Sequence, residues 1–251
     1  VNLLTSDSGS ITLFGSSVDA DPLFAPLHVG YMPQNGTALN SLTVGEALYF
    51  TAHLRGMSRS DAQTERERLL KLWDLEDIRH KPPNKLSGGQ KRLLQLAVAM
   101  AGSPPVLILD EPTNDLAPQR RKRVWDVLRM LNQEQGVTII FITHDAIEAE
   151  KIIQRVGIMH AGALVALGRP SDLKKALVQQ LRLELFFPPE SPPTLPDDLT
   201  PHRLDAGRWL VYVEKNRAGE VINLLDLEAI DDFRLHSATL EDLYLHYAEH
   251  T

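Results

Sequence analysis

Two apolar runs with an amphipathic stretch between them constrain this chain more than any other feature of its sequence. Val106-Leu107-Ile108-Leu109 is one run, and Val137 to Ile142, interrupted only by Thr138, is the other. A segment without polar alternation has no face to offer water, so each reads as a strand buried on both sides in a parallel sheet. Between them, Pro118 to Gln135 places Val124, Leu128 and Leu131 on one helical face, with its arginines outside. Strand, helix and parallel strand form a right-handed crossover, and an α/β core follows.

The flanking sequence extends that core. Ser6-Asp7-Ser8-Gly9 is a turn cluster, followed by a short strand from Ser10 to Phe14. His28 to Met32 reads as a further strand. Thr43 to about Trp73 reads as a long helical stretch broken near Gly56. After Gly168-Arg169-Pro170 the character changes. Pro188-Pro189-Glu190-Ser191-Pro192-Pro193 can only be a loop. Around it lie alternating strands, Leu181 to Phe187 and Trp209 to Val213, and helices from Ala218 to about Ala229 and from Thr239 to His250. The expected organisation is a core over residues 1–175, with a helical subdomain at about 43–85, and a small α+β domain over 176–251.

Composition removes several function classes. With 26 basic against 33 acidic residues the net charge is −7, which argues against a general nucleic-acid binder. There is no cysteine, so disulfides and thiolate metal sites are excluded, in keeping with a reducing cytosol. The longest apolar region, Leu93 to Leu109, is interrupted by Gln95 and by Gly102-Ser103-Pro104-Pro105, and is too broken to cross a bilayer. Any membrane role would therefore come from docking.

Four features carry chemistry. Leu86-Ser87-Gly88-Gly89-Gln90 opens a helical pattern, and a serine and two glycines at a helix start leave backbone N–H groups free for a phosphate. Asp110 and Glu111 follow a buried strand at its carboxyl end, where an aspartate can hold Mg²⁺ and a glutamate can take a proton from water. His144 lies at the tip of the next strand, where an imidazole can hydrogen-bond a phosphate oxygen. Gln34 lies just past another strand. Taken singly, these are also a helix cap, a pair of capping carboxylates, an incidental histidine and a loop glutamine.

Taken together and in this order, they resemble an ATP-binding-cassette (ABC) transporter ATPase subunit over roughly residues 1 to 170. The resemblance implies a P-loop-NTPase-like α/β core, ATP and Mg²⁺ as ligands, and a role for each residue. Gln34 would be the Q-loop glutamine, touching Mg²⁺ and facing a transmembrane permease. Ser87, Gly88, Gly89 and Gln90 would form the signature motif, contacting the γ-phosphate on the opposite subunit of a head-to-tail dimer. Asp110 would hold the metal, Glu111 would be the catalytic base, and His144 the switch histidine. The C-terminal part, ending in Ser237-Ala238-Thr239-Leu240-Glu241-Asp242-Leu243-Tyr244, resembles the appendage of drug- and polysaccharide-exporting members.

Two departures qualify the resemblance. No GxxxxGK[ST] phosphate-binding loop occurs among the 251 residues. The opening Val1-Asn2-Leu3-Leu4 reads like the tail of a helix, so the expectation is an N-terminal truncation that leaves the chain inactive alone. In the D-loop the run is Asn114-Asp115-Leu116-Ala117-Pro118, with Ala117 where the family usually has aspartate. The expected function is an ATPase that energises an exporter from the cytoplasmic face of the cell membrane. The alternatives are a non-catalytic regulatory module and a soluble cassette ATPase unconnected with transport.

Overall fold

The computed structural model describes residues 6–19, 21, 23–35, 41–144, 150, 152–174, 180–196, 198–227, 229–237, 239–240 and 242–244. Its contacts divide it into two units, residues 1–144 and 145–251.

The first unit opens with a hairpin of β1 (Thr12–Leu13) and β2 (Ser16–Ser17), joined by Phe14 and Gly15, both at positive φ. Sequence patterning predicts a longer strand, but this two-residue turn reverses the chain at once. Helix α1 (Phe24–His28) leads into β3 (Val29–Met32). The helical stretch is two helices, α2 (Val44–Leu54) and α3 (Arg59–Leu72), separated at Gly56. Each starts on a hydroxyl cap: Thr43 forms a reciprocal capping box with Glu46, and Ser58 accepts from the Asp61 N–H. Helix α4 (Gly88–Met100), β4 (Val106–Asp110), α5 (Pro118–Gln135) and β5 (Thr138–Ile142) complete the unit. Helix α5 begins with proline in its first turn and ends on left-handed Gly136, whose N–H donates to the Leu131 carbonyl.

β3, β4 and β5 form a parallel sheet in that order. One face, with Met32, Leu107 and Leu109, is fully buried. The other carries Tyr31, Ile108 and Ile140 in register and leaves Ile140 52% and Ile142 50% exposed. An apolar sheet face open to solvent is a surface built to be covered. α4 packs closely on the buried face at Gly30, where an added Cβ would lie 2.0 Å from the Ala99 carbonyl oxygen. Gly30→Ala is therefore expected to cost about 1–3 kcal/mol by forcing α4 off β3. A denaturant midpoint equal to wild type would show that α4 yields without cost.

The second unit contains a hairpin of β6 (Val156–His160) and β7 (Ala163–Gly168), then α6 (Pro170–Lys174). A four-stranded antiparallel sheet follows in the order β11-β8-β10-β9, from β8 (Gln180–Phe186), β9 (His202–Asp205), β10 (Arg208–Glu214) and β11 (Asp232–Ser237). Helix α7 (Ala218–Leu224) ends where Leu225 turns extended, short of the Ala229 that patterning suggests. Leu183, Leu185, Val211 and Val213 pack with Ala218 and Val221 of α7. The alternate residues put Glu184 between Arg182 and Arg208, at 3.0 and 2.8 Å. Burial pushes the Glu184 carboxyl up, but the Arg208 hydrogen bond and the nearby arginine charges outweigh it and hold it below its usual range. Leu240 and Asp242 to Tyr244 are helical, Thr239 is not, and residues 241 and 245–250 of the predicted terminal helix lie outside the described residues.

Candidate active site

Three parallel strands end at one edge, and the chemistry-bearing residues lie directly past those ends. Asp110 closes β4 and Glu111 follows it, Thr143 and His144 come after β5, and Gln34 lies in the turn after β3. This is where the connections of an open α/β sheet leave a crevice for ligands.

Glu111 is only 6% exposed, and its backbone is left-handed at φ 50°. That conformation is costly for a residue with a side chain, by about 1–3 kcal/mol, and has to be held by its surroundings. Its N–H donates to the Ile142 carbonyl at 2.8 Å, tying the turn to β5. Oε1 of its carboxylate accepts from the His144 backbone N–H at 2.9 Å and lies 2.7 Å from His144 Nδ1. Oε2 accepts from Thr143 Oγ1 at 3.2 Å. A carboxylate offers about four acceptor positions, so these three contacts leave room for one more donor, such as a water. The His144 side chain is 77% exposed, so it can turn with little loss of packing.

Ser87 to Gln90 form a separate feature. Ser87 caps α4, its Oγ accepting from the Gln90 N–H at 3.3 Å while Gln90 Oε1 accepts from the Ser87 N–H at 3.1 Å. Gln90 is thus committed to the cap. A Cβ at Gly88 would meet nothing within 4 Å, whereas one at Gly89 would lie 3.1 Å from the Arg120 guanidinium. The helix start is open on its Gly88 side. The chain before α5 turns at Asp115, also at positive φ (62°), and Ala117 begins α5 without a side-chain cap.

Arg92 links these features, and sequence patterning does not single it out. Its Nη1 donates to the Gln34 carbonyl at 3.0 Å and to Gln95 Oε1 at 3.1 Å. Its Nη2 donates to the Asp110 carbonyl at 2.7 Å and to the Glu111 carbonyl. Burial pulls the guanidinium below its ordinary value, against the opposing pull of Asp115, Asp110 and Glu111. The signal was available: Arg92 occupies the helix face of Leu96 and Met100, where α4 is otherwise apolar. The structure therefore brings Asp110, Glu111, His144 and the Gln34 backbone together, while Ser87 to Gln90 form the start of α4.

Residues 1–114 match the family described as ABC transporter. The chain is 33% identical over 192 residues to ATP-binding cassette sub-family A member 2 of Rattus norvegicus, an alignment covering 76% of this chain and 8% of that protein. It is 36% identical over 183 residues to the retinal-specific phospholipid-transporting ATPase of Homo sapiens, covering 73% of this chain and 8% of that protein. This chain carries an ABC transporter ATPase module. The solved ATP binding subunit of an ABC transporter superposes on the module with a TM-score of 0.64 at 25% identity, covering 70% of this chain and 73% of that one. A dimeric bacterial ABC transporter cassette, MJ0796, superposes with a TM-score of 0.60 at 24% identity over 65% of this chain and 74% of that one, a likeness of fold. The ABC module described here spans a small fraction of the length of its curated relatives.

Proposed function

We propose that the chain carries the ATP-hydrolysing centre of an ABC transporter, with Glu111 as the base. The observation that carries this reading is a buried carboxylate, held by Thr143 and His144 on a strained turn directly after Asp110. In this reading a water occupies the remaining acceptor position of the Glu111 carboxylate, which takes its proton as the water oxygen bonds to the γ-phosphorus and the bond to the β-phosphate oxygen breaks, releasing ADP. His144 turns from Glu111 to donate to a γ-phosphate oxygen. Asp110 and the Gln34 amide oxygen would hold Mg²⁺, which would supply positive charge beside the phosphates. These two oxygen donors suit Mg²⁺, which keeps waters and substrate phosphates in its shell. Among the described residues no cluster of three or more ligating side chains exists that would hold an ion without nucleotide.

Ser87, Gly88 and Gly89 serve the second copy's nucleotide in a head-to-tail dimer, their free N–H groups and the helix dipole facing its γ-phosphate. The MJ0796 cassette, solved as a dimer bound to ADP and Pi, supports a second copy as partner. No helix among the described residues is long and apolar enough to cross a membrane. Coupling to transport is proposed to run through a permease that the module docks against at the inner face of the membrane. Export is the proposed direction, and the phospholipid-transporting relative supports a lipid cargo. The regulatory alternative is favoured by one observation, the missing carboxylate at Ala117.

Asp110→Asn separates the two readings. In the protein that carries this module, Mg²⁺-dependent turnover is expected to fall about 100-fold or more with unchanged melting, because an amide holds the ion poorly. Turnover equal to wild type would leave the regulatory reading standing.

A further inference from the structure

Helix α4 is fastened at both ends by arginines. At its C-terminal end, Arg55 Nη1 donates to the Val98 and Ala99 carbonyls at 3.3 and 2.9 Å and to the Ala101 carbonyl, serving acceptors of the last turn. Toward its N-terminal end, Arg92 donates to no helix carbonyl. It reaches instead the Gln34 carbonyl past β3 and the Asp110 and Glu111 carbonyls at the end of β4. We propose that Arg92 is a positioning residue that ties the helix carrying Ser87 to the turn carrying Glu111 and so holds the base in place. The proposal rests on the reading of Glu111 as base.

Three observations support it. The Glu111 carbonyl belongs to a left-handed residue and needs donors to fix it; Arg92 and the Asn114 N–H, at 3.2 Å, supply them. The planar guanidinium serves both loops at once, with Nη1 on the Gln34 side and Nη2 on the Asp110–Glu111 side, a fork that a lysine ammonium cannot reproduce. Arg92 is itself only 6% exposed, in the apolar face of α4, where a charge persists only if its hydrogen bonds are specific. A shift of α4 on meeting a second copy would thus be transmitted to the Glu111 turn through rigid geometry, without a side chain touching substrate.

The test compares wild type, Arg92→Lys, Arg55→Lys and Glu111→Gln in the intact protein. It reads kcat and KM for Mg-ATP, together with amide hydrogen exchange in the absence of nucleotide. Arg92→Lys should lower kcat about 10- to 100-fold, as expected for a misplaced base, with KM within about twofold. Exchange at the Glu111 and Asn114 amides should accelerate about tenfold, while amides from Leu96 to Met100 stay as in wild type. Arg55→Lys should do the reverse, loosening the end of α4 with kcat within about twofold of wild type. Wild-type kcat and exchange in Arg92→Lys, or acceleration spread evenly over the unit, would overturn the proposal. Should Arg92→Lys fail to fold, wild type still decides: the Glu111 and Asn114 amides should open together with α4, and opening independent of α4 contradicts the tie. If Glu111→Gln turns over ATP normally, the base reading fails, and the nucleotide-free exchange still judges Arg92. If Glu111→Gln is dead and Arg92→Lys is normal in both readouts, only the Arg92 proposal fails.

Discussion

Replacing Glu111 by glutamine is expected to lower ATP turnover by about two to four orders of magnitude while nucleotide binding persists. The substitution is nearly isosteric. Its amide oxygen can still accept from the His144 N–H, and the Thr143 hydroxyl can rotate to accept from the new NH₂ group, so the turn keeps its partners. What disappears is the group able to take a proton from water. Loss of one negative charge beside the phosphates also removes repulsion, so the ATP-bound dimer should accumulate. Phosphate release measured beside nucleotide binding in the intact protein checks this. Hydrolysis within about threefold of wild type would remove Glu111 from its proposed role.

Ser87→Arg is expected to leave the fold intact and abolish ATP-driven dimerisation. Ser87 is solvent-exposed, and loss of its cap on α4 costs about 1 kcal/mol, small beside the stability of a domain. The effect on assembly is far larger, because the new side chain fills the open helix start beside Gly88, the surface proposed to meet a second copy's γ-phosphate. Ser87→Ala serves as the control: it removes the cap without adding bulk and should still dimerise. Light scattering with Mg-ATP in a hydrolysis-deficient background reads the difference directly. A dimer formed normally by Ser87→Arg would reduce Leu86-Ser87-Gly88-Gly89-Gln90 to a helix cap.

Much of the first unit is legible from residues alone, for identifiable reasons. β4 and the core of β5 stand out because strands of a parallel sheet cannot alternate with polar residues. The ends of α5 are marked by Pro118 and Gly136, each at the position its backbone geometry favours. The break between α2 and α3 falls at Gly56, which takes a positive φ. The second unit is harder to read. β9, His-Arg-Leu-Asp, is a short, wholly exposed edge strand with almost no apolar signal. β11 alternates Phe233 and Leu235 with polar neighbours, but those two side chains are only partly covered, so the period is the sole cue. The hairpin of β6 and β7 turns on Ala161 and Gly162, both at positive φ, and alanine is not a turn residue by preference.

The site shows the same contrast. Asp110, Glu111, Gln34 and His144 are visible as polar residues just past apolar strands, whereas their mutual arrangement depends on Arg92 and Thr143, which patterning passes over. An arginine inside an apolar helix face is a signal in its own right, since burying it without partners would be prohibitive. Thr143 carries no such mark; only the turn after β5 shows that its hydroxyl faces Glu111.

The most direct test of the account is the position of the γ-phosphate in a structure of the Glu111→Gln protein bound to Mg-ATP. The account predicts a γ-phosphate within hydrogen-bond reach of the His144 ring, with Mg²⁺ on Asp110, a water between the phosphate and position 111, and Ser87 of a second copy on the opposite side. A γ-phosphate distant from Asp110 and His144, or a Ser87 that meets no nucleotide, would contradict it.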